Sequence, residues 1–310
     1  MEPVLIAIGG NALNDPALQA NVSEARVAEV CRCIVDVLKQ GYLPVVTFGN
    51  GPQVGNLLDM VETSARFVGY PVPLNACVSW TQGEIGHALS NELHRLCVAE
   101  GVYRPIVAVN TTVLIDPEDP AFESPTKPVG QFLSIEDAKR LYIERGWVVG
   151  PDANRGYRRL VPSPRPQSIL EAEAIRQLIQ QGTITLCCGG GGIPVVEKQG
   201  RLVDIEAVVD KDYTSCLLAE MLDIPTVIIC TGVDRVYLNF GQENQTPLSE
   251  ITLEEARRHM DADQFAKGSM APKIHALLRF IEQGGRRAII TNLSNIGAAM
   301  SGAAGTAIVA

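Results

Sequence analysis

Three apolar runs in this sequence each end in a glycine-rich loop, and together the loops suggest one binding site for an anion. The runs Val4 to Ile8, Pro44 to Thr47 and Thr183 to Cys188 lead into Gly9-Gly10-Asn11, Gly49-Asn50-Gly51 and Gly189 to Gly192. A strand that ends in glycine lets backbone N–H groups approach a phosphate, and a following helix directs its positive end to the same place. If these strands are neighbours in a parallel sheet, the three loops converge at one edge of it.

Lysines and aspartates in other segments could neutralise and orient such an anion. Asp210, Lys211 and Asp212 follow an apolar stretch and precede a helical pattern, and Lys273 lies near the start of a later one. A carboxylate in this position could orient a lysine toward a phosphoryl group. The alternatives are that Asp212 is only the N-cap of its helix and that the lysines are solvated. Lys127, in a proline-rich stretch, is a further candidate.

The common nucleotide-binding motifs are missing. There is no G-x-x-x-x-G-K-[ST] segment, and the second glycine loop reads G-x-G-x-x-x-G, one residue longer than the dinucleotide fingerprint. The four histidines form no spacing typical of a metal site or of a histidine-activated nucleophile. A phosphate site in this chain must therefore have a different architecture.

Strand-like runs alternate with helical patterns over most of the chain, which predicts an α/β fold with a parallel sheet covered on both faces. Eight prolines interrupt the alternation between Thr111 and Gln167, and it resumes with a predicted helix from Ile169 to Gln180. We interpret residues 111–167 as an inserted, protruding subdomain, with a solvated linker as the alternative. Four arginines near its end could close over a substrate or brace the subdomain: Arg155, Arg158, Arg159 and Arg165.

Composition limits the classes of partner. The 310 residues are 46% hydrophobic and carry a net charge of −9, which argues against nucleic acid or an anionic membrane as partner because both need a basic surface. The eight cysteines include no Cys-x-x-Cys pair, so we expect buried free thiols in a reducing compartment. Without a signal peptide or a long apolar segment, a cytoplasmic location is expected.

Seven short motifs follow one another along nearly the whole chain. They are Gly9-Gly10-Asn11-Ala12-Leu13, Gly49-Asn50-Gly51-Pro52-Gln53-Val54-Gly55, Gln82-Gly83-Glu84-Ile85-Gly86, Pro125-Thr126-Lys127-Pro128, Gly189-Gly190-Gly191-Gly192-Ile193-Pro194, Val209-Asp210-Lys211-Asp212 and Lys267-Gly268-Ser269-Met270-Ala271-Pro272-Lys273. This ordered set resembles the carbamate kinases of the amino acid kinase superfamily. The resemblance implies a homodimer and a three-layer α/β/α sandwich on a mostly parallel central sheet. It also implies one domain over 1–310, with the carbamate and phosphoryl site in the N-terminal half, a nucleotide-binding half at about 181–310 and the insertion at 111–167.

The resemblance further implies reversible phosphoryl transfer between ATP and carbamate, giving ADP and carbamoyl phosphate. Mg²⁺ would be carried by the nucleotide rather than by a metal site of the protein, and the reaction would run toward ATP in arginine or purine catabolism. By matching position, Lys127 would reach carbamate, Lys211 and Lys273 would neutralise the phosphoryl group, and Asp212 would hold those lysines. Substrate and phosphate would contact Gly9, Gly10, Asn11, Gly49, Asn50, Gly51, Gly190 and Gly191. The nucleotide would contact Lys211, Thr231, Val233, Tyr237, Met270 and Lys273.

One position departs from the pattern of this family. Phe48, directly before Gly49, stands where family members usually carry histidine. If that histidine takes part in the reaction, activity or acceptor choice differs here, whereas a histidine that only packs under the loop could be replaced by an apolar ring. We favour packing because the preceding strand is apolar.

Two alternative functions remain. One is a kinase for another small acid, such as an amino-acid carboxylate. The other is a non-catalytic sensor of ATP or carbamoyl phosphate, which the retained lysines and Asp212 disfavour.

Overall fold

Strands and helices alternate along the part of the chain that the computed structural model describes, residues 1–15, 21–70, 72–152 and 156–310. The strands are β1 (Glu2–Ile8), β2 (Tyr42–Phe48), β3 (Ile106–Ala108), β4 (Thr112–Ile115), β5 (Lys127–Leu133), β6 (Val149–Pro151), β7 (Tyr157–Val161), β8 (Pro166–Ile169), β9 (Ile184–Cys187), β10 (Ile193–Lys198), β11 (Arg201–Asp204), β12 (Thr226–Cys230), β13 (Val236–Leu238), β14 (Thr246–Leu248), β15 (Glu250–Thr252), β16 (Arg287–Thr291) and β17 (Thr306–Val309). The helices are α1 (Glu24–Lys39), α2 (Gly51–Val68), α3 (Leu74–Ala99), α4 (Ile135–Arg145), α5 (Ala172–Gln180), α6 (Lys211–Met221), α7 (Leu253–Asp261), α8 (Met270–Glu282) and α9 (Ile296–Met300).

The central sheet has eight strands in the order β15-β17-β16-β12-β1-β2-β9-β3. The six strands from β16 to β3 run parallel, whereas β17 is antiparallel to β16. Alternate residues of β1 face two hydrophobic layers: Leu5 packs with α6 and α8, and Ile6 packs with α1 and α3. Helices therefore cover both faces, which confirms the predicted three-layer α/β/α sandwich with a mostly parallel sheet.

The proline-rich segment 111–167 contributes to two smaller sheets. Strands β5, β7 and β6 form an antiparallel sheet, and α4 packs against it. Strands β4 and β8 belong instead to a four-stranded sheet, which β10 and β11 from outside the segment complete. The helix predicted from Ile169 begins only at Ala172, because residues 166–169 pair with β4 as a strand.

The three glycine loops meet at the ends of adjacent strands β1, β2 and β9. The Gly49 N–H donates to the Ile8 carbonyl at 2.8 Å, and a Cβ placed on Gly49 would lie 2.7 Å from the Gly10 nitrogen. A Cβ on Gly190 would collide with the Asn50 side-chain amide, and Gly190 also has a positive φ of 65°. The predicted convergence of the loops is confirmed, and it depends on glycines that leave room for a neighbouring backbone at Gly10 and Gly49 and for the Asn50 side chain at Gly190.

Phe48 forms part of the floor beneath the third loop. Its side chain is buried, and a Cβ placed on Gly189 would lie 2.6 Å from the Phe48 ring and 2.8 Å from Cγ of Gln82. The ring therefore fills the space directly under Gly189. This position agrees with the packing role favoured for Phe48 from the sequence.

All eight cysteines lie in the described residues as free thiols, and only Cys33 is not fully buried. Burial raises the pKa of Cys230 to about 12, which keeps that thiol protonated and unreactive at neutral pH. Within the described ranges, no helix combines the length and apolar character needed to cross a membrane.

We expect Gly189→Ala to lower the free energy of unfolding by about 1–3 kcal/mol, because the added methyl group overpacks the contact with Phe48 and Gln82. Gly83→Ala is the matched control: Gly83 lies in α3 with open space around its Cα, so alanine should be neutral or slightly stabilising there. Denaturant unfolding of both variants measures the difference. Equal free energies of unfolding for Gly189→Ala and Gly83→Ala would contradict the tight packing under the loop. Adding Phe48→Leu to Gly189→Ala should recover part of the lost stability.

Candidate active site

A buried carboxylate shared by two lysines lies at the centre of the candidate site. Asp212 Oδ1 accepts from Lys211 Nζ at 2.6 Å, and Asp212 Oδ2 accepts from Lys273 Nζ at the same distance. The Asp212 side chain is only 4% exposed, whereas those of Lys211 and Lys273 are 12% and 19% exposed. Lys273, which lies 61 positions after Asp212 in the sequence, is thus brought to the same carboxylate as Lys211, as the sequence predicts.

The electrostatics of this cluster keep the buried Asp212 carboxyl ionised. Burial alone would raise the pKa of Asp212, but the ammonium groups of Lys211 and Lys273 and their hydrogen bonds outweigh it and hold the pKa of that carboxyl well below its usual range. One negative charge between two positive charges leaves a net positive charge. The cluster is therefore suited to a further anion.

Asp210, rather than Asp212, caps helix α6. Its Oδ1 accepts from the Asp212 N–H at 2.9 Å, so the alternative N-cap role for Asp212 is wrong: Asp212 lies in the first turn and its side chain is used by the lysines. Asp210 Oδ2 accepts from Lys127 Nζ at 2.8 Å. Lys127 is the first residue of β5, so this ion pair ties the small antiparallel sheet to the start of α6.

The first two glycine loops border the lysine cluster. Cδ of Lys211 lies 3.5 Å from the place where a Cβ of Gly49 would be, and the Gly10 nitrogen lies 2.7 Å from the same place. Gly9 and Asn11 flank Gly10 in a short 3₁₀ turn, and Gly51 begins α2. Asn50 is buried, and its amide donates to the Thr81 hydroxyl at 2.9 Å, a partner that the sequence did not suggest.

The third loop is held from α3 and from the segment before α6. Gln82 Nε2 donates to the carbonyls of Gly189 and Thr111 at 3.0 and 3.2 Å, and its Oε1 accepts from the Thr111 N–H at 2.7 Å. A Cβ on Gly191 would collide with the Val209 carbonyl. Gln82 was visible in the sequence only as part of a motif, because nothing local signals a buried amide with three backbone partners.

A separate cavity opens beside the lysine cluster, at the end of β12. It has a volume of about 290 Å³ and is mainly apolar. All four residues predicted near adenine and ribose line it: Thr231, Val233, Tyr237 and Met270. Helix α8 begins at Met270 in this cavity and carries Lys273 one turn later to Asp212. Lys267 of the same motif is instead exposed and pairs with Asp263 at 3.1 Å.

The arginines near the end of the proline-rich segment contact the protein itself. Arg158 donates to the Gly130 carbonyl and to Asp152, and Arg159 donates to Glu206 at 2.6 Å. The Arg165 guanidinium lies 3.5 Å from the ring centre of Tyr213. These contacts are bracing contacts, and Arg155 lies outside the described residues.

Metal-binding chemistry is limited in the described ranges. No three histidine, cysteine, aspartate or glutamate side chains are grouped there as a metal site requires. The carboxylates of Asp210 and Asp212 both have lysine partners. This donor set suits a divalent ion that arrives bound to phosphate oxygens better than one held in a cage of protein ligands.

The sequence and the fold both match known proteins over almost their full length. The profile of the amino acid kinase family matches residues 2–292. Carbamate kinase 1 from Enterococcus faecium is 42% identical over 300 residues, covering 96% of each chain. A carbamate kinase from Pyrococcus horikoshii is 39% identical over 310 residues, covering 99% of each chain.

Among solved structures, the carbamate kinase from Giardia lamblia bound to AMP-PNP superimposes with a TM-score of 0.93 at 35% identity. The superposition covers 99% of this chain and 98% of the Giardia chain. The UMP kinase from Ureaplasma parvum, at 12% identity and a TM-score of 0.53, shares the fold alone. The chain therefore belongs to the amino acid kinase family and, within it, to the carbamate kinases.

Proposed function

We propose that this protein catalyses reversible phosphoryl transfer between ATP and carbamate at the Asp212 cluster. In one direction a carbamate oxygen attacks the γ-phosphorus of ATP, and the bond to the bridging oxygen breaks so that ADP leaves. In the other direction a β-phosphate oxygen of ADP attacks the phosphorus of carbamoyl phosphate, and carbamate leaves. The observation that carries the proposal is the pair of lysines held on one buried carboxylate beside two touching glycine loops.

Each part of the site then has a role. Lys211 and Lys273 offset the charge that spreads over the transferring phosphoryl oxygens, and Asp212 fixes where their ammonium groups point. Backbone N–H groups around Gly10 and Gly190 offer neutral donors to the same anions, whereas the Gly49 N–H is used by the Ile8 carbonyl. Lys127, at 38% side-chain exposure, is within the reach of solvent and so of an arriving carbamate.

The apolar cavity is assigned to the nucleotide. Its lining by Thr231, Val233, Tyr237 and Met270 suits a flat, apolar base, and its continuity with α8 brings the phosphates toward Lys273. Such transfer asks the protein mainly to position two anions and to offset their charge. On this proposal residues 181–310 form the nucleotide half, and Mg²⁺ enters as the metal complex of ATP or ADP.

The cellular setting is proposed from the family alone. We infer a homodimer in the cytoplasm, running toward ATP in the breakdown of arginine or purines. An enzyme accelerates both directions equally, so the supply of carbamoyl phosphate fixes the net flux.

Formation of ATP from ADP and carbamoyl phosphate, followed in a coupled assay beside acetyl phosphate and amino-acid acyl phosphates, tests the activity and the acceptor together. ATP formed only from another acyl phosphate would favour the alternative kinase, and nucleotide binding without turnover would favour the sensor.

We expect Lys211→Ala and Lys273→Ala each to lower kcat by roughly 10²-fold or more, since removing one preorganised donor costs about 2.7–4 kcal/mol of transition-state stabilisation. Lys267→Ala is the matched control, because Lys267 lies in the same motif as Lys273 but its side chain is 81% exposed. Initial rates of ATP formation at saturating substrates measure the effect. Turnover near that of Lys267→Ala in either variant would remove that lysine from the mechanism.

We expect Phe48→His to lower thermal stability without increasing turnover. The ring is buried under Gly189, and an imidazole there replaces apolar contact with polar atoms that must find partners, at a cost of about 1–3 kcal/mol. Thermal melting and kcat for carbamoyl phosphate are measured on the same preparation. A rise of about tenfold or more in kcat would instead show that this position acts in the reaction.

A further inference from the structure

Two buried hydroxyl groups link the central sheet to the helix that carries the lysine and aspartate of the site. Thr47, the residue before Phe48 in β2, and Ser215, in the second turn of α6, both have no exposed surface. Their Oγ1 and Oγ atoms are 2.6 Å apart. Residues 168 positions apart in sequence thus meet between the second glycine loop and the start of α6.

The direction of these hydrogen bonds follows from the available donors. Ser215 Oγ lies 2.6 Å from the Lys211 carbonyl, which can only accept, so the single hydroxyl proton of Ser215 goes there. The Ser215 oxygen must then accept from the Thr47 hydroxyl. The result is a directed chain from Thr47 through Ser215 to the backbone of Lys211.

This chain of hydrogen bonds lies near the close contact between Lys211 and the Gly49 loop. Thr47 lies two residues before Gly49, and the Lys211 stem lies against Gly49, within 3.5 Å of where its Cβ would be. A shift of α6 relative to β2 would move the Lys211 ammonium and the Asp212 carboxylate away from the loop. The hydrogen bonds from Thr47 to Ser215 and from Ser215 to the Lys211 carbonyl connect β2 to α6 at this point.

We propose that Thr47 and Ser215 are positioning residues that set the distance between the Lys211–Asp212 pair and the Gly49 loop, an inference that rests on the proposed phosphoryl transfer. Burying two hydroxyls in an apolar layer is unfavourable unless they bond to each other, and an apolar pair could fill the same space. Neither side chain touches the open side of the site. Their effect on the reaction is therefore exerted through Lys211.

The test uses Thr47→Val, which keeps the shape of the side chain and removes its hydroxyl. We expect a roughly 10- to 100-fold lower kcat with KM for ADP little changed, because misplacing a charged group affects the transition state more than ground-state binding. Ser215→Ala should give a similar loss, and the double variant should be no worse than either single variant because the hydroxyls act as one unit. Thr47→Ser, which retains the donor, should recover most of the activity.

Thr185→Val is the matched control. Thr185 lies in neighbouring β9, pairs in register with Val45, is fully buried, and donates its hydroxyl to the Thr183 carbonyl rather than to a residue of α6. We expect Thr185→Val to lower the free energy of unfolding by about as much as Thr47→Val does, while its kcat stays near that of the wild type. All rates are measured well below the melting temperature of the least stable variant, and Ser215→Ala replaces Thr47→Val if the latter does not fold.

A second readout does not depend on carbamate chemistry. The rate at which an amine-reactive reagent labels Lys211 is followed by peptide mass spectrometry, with exposed Lys267 as the internal standard. We expect several-fold faster labelling of Lys211 in Thr47→Val than in Thr185→Val. Absence of wild-type turnover would refute the proposed function, and labelling alone would then decide this inference. If the wild type is active, a kcat for Thr47→Val within about twofold of that for Thr185→Val would overturn the positioning role of Thr47. If the wild type is inactive, equal rates of Lys211 labelling in the two variants would overturn it.

Discussion

The burial of the Asp212 carboxylate is the constraint on which the rest of the site depends. An ionised carboxyl at 4% exposure is stable only with opposite charges and hydrogen bonds, and Lys211 and Lys273 supply both. Because one lysine comes from α6 and the other from α8, the carboxylate also fixes these helices against each other. The arrangement that stabilises the buried charge thus leaves two lysines preorganised toward an anion.

Close contact between glycines is the second constraint. Gly10 and Gly49 approach each other through their backbones, and Gly190 leaves room only for the Asn50 side-chain amide. The parallel order of β1, β2 and β9 brings the loops to one edge, and Gln82 satisfies the carbonyls that this crowding would leave buried. The glycines therefore make the short distance between neighbouring loops possible.

Much of this organisation was predictable because it follows from local pattern. Apolar runs ending in glycine predicted β1, β2 and β9, and the motif order predicted which lysines belong together. The partners that complete the site were not predictable: Thr47 meets Ser215, Asn50 meets Thr81, and Gln82 meets Gly189 across sequence separations that leave no periodic signal. The predicted helix start at Ile169 was wrong because Ile169 is the last residue of β8, whose pairing with β4 is a tertiary interaction.

On the proposed function, the two substrates would be held by elements of unequal rigidity. On the nucleotide side, Met270 in the cavity and Lys273 on Asp212 are three residues apart on one helix, about 4.5 Å along its axis. A single helical turn would therefore set the distance between the groups that contact the base and the phosphates. On the carbamate side, Lys127 comes from a separate sheet, and its ion pair with Asp210 is partly exposed, an interaction worth at most about 1 kcal/mol. On that proposal, precision in the transfer would come from α6 and α8, and the lysine of β5 would adapt to them.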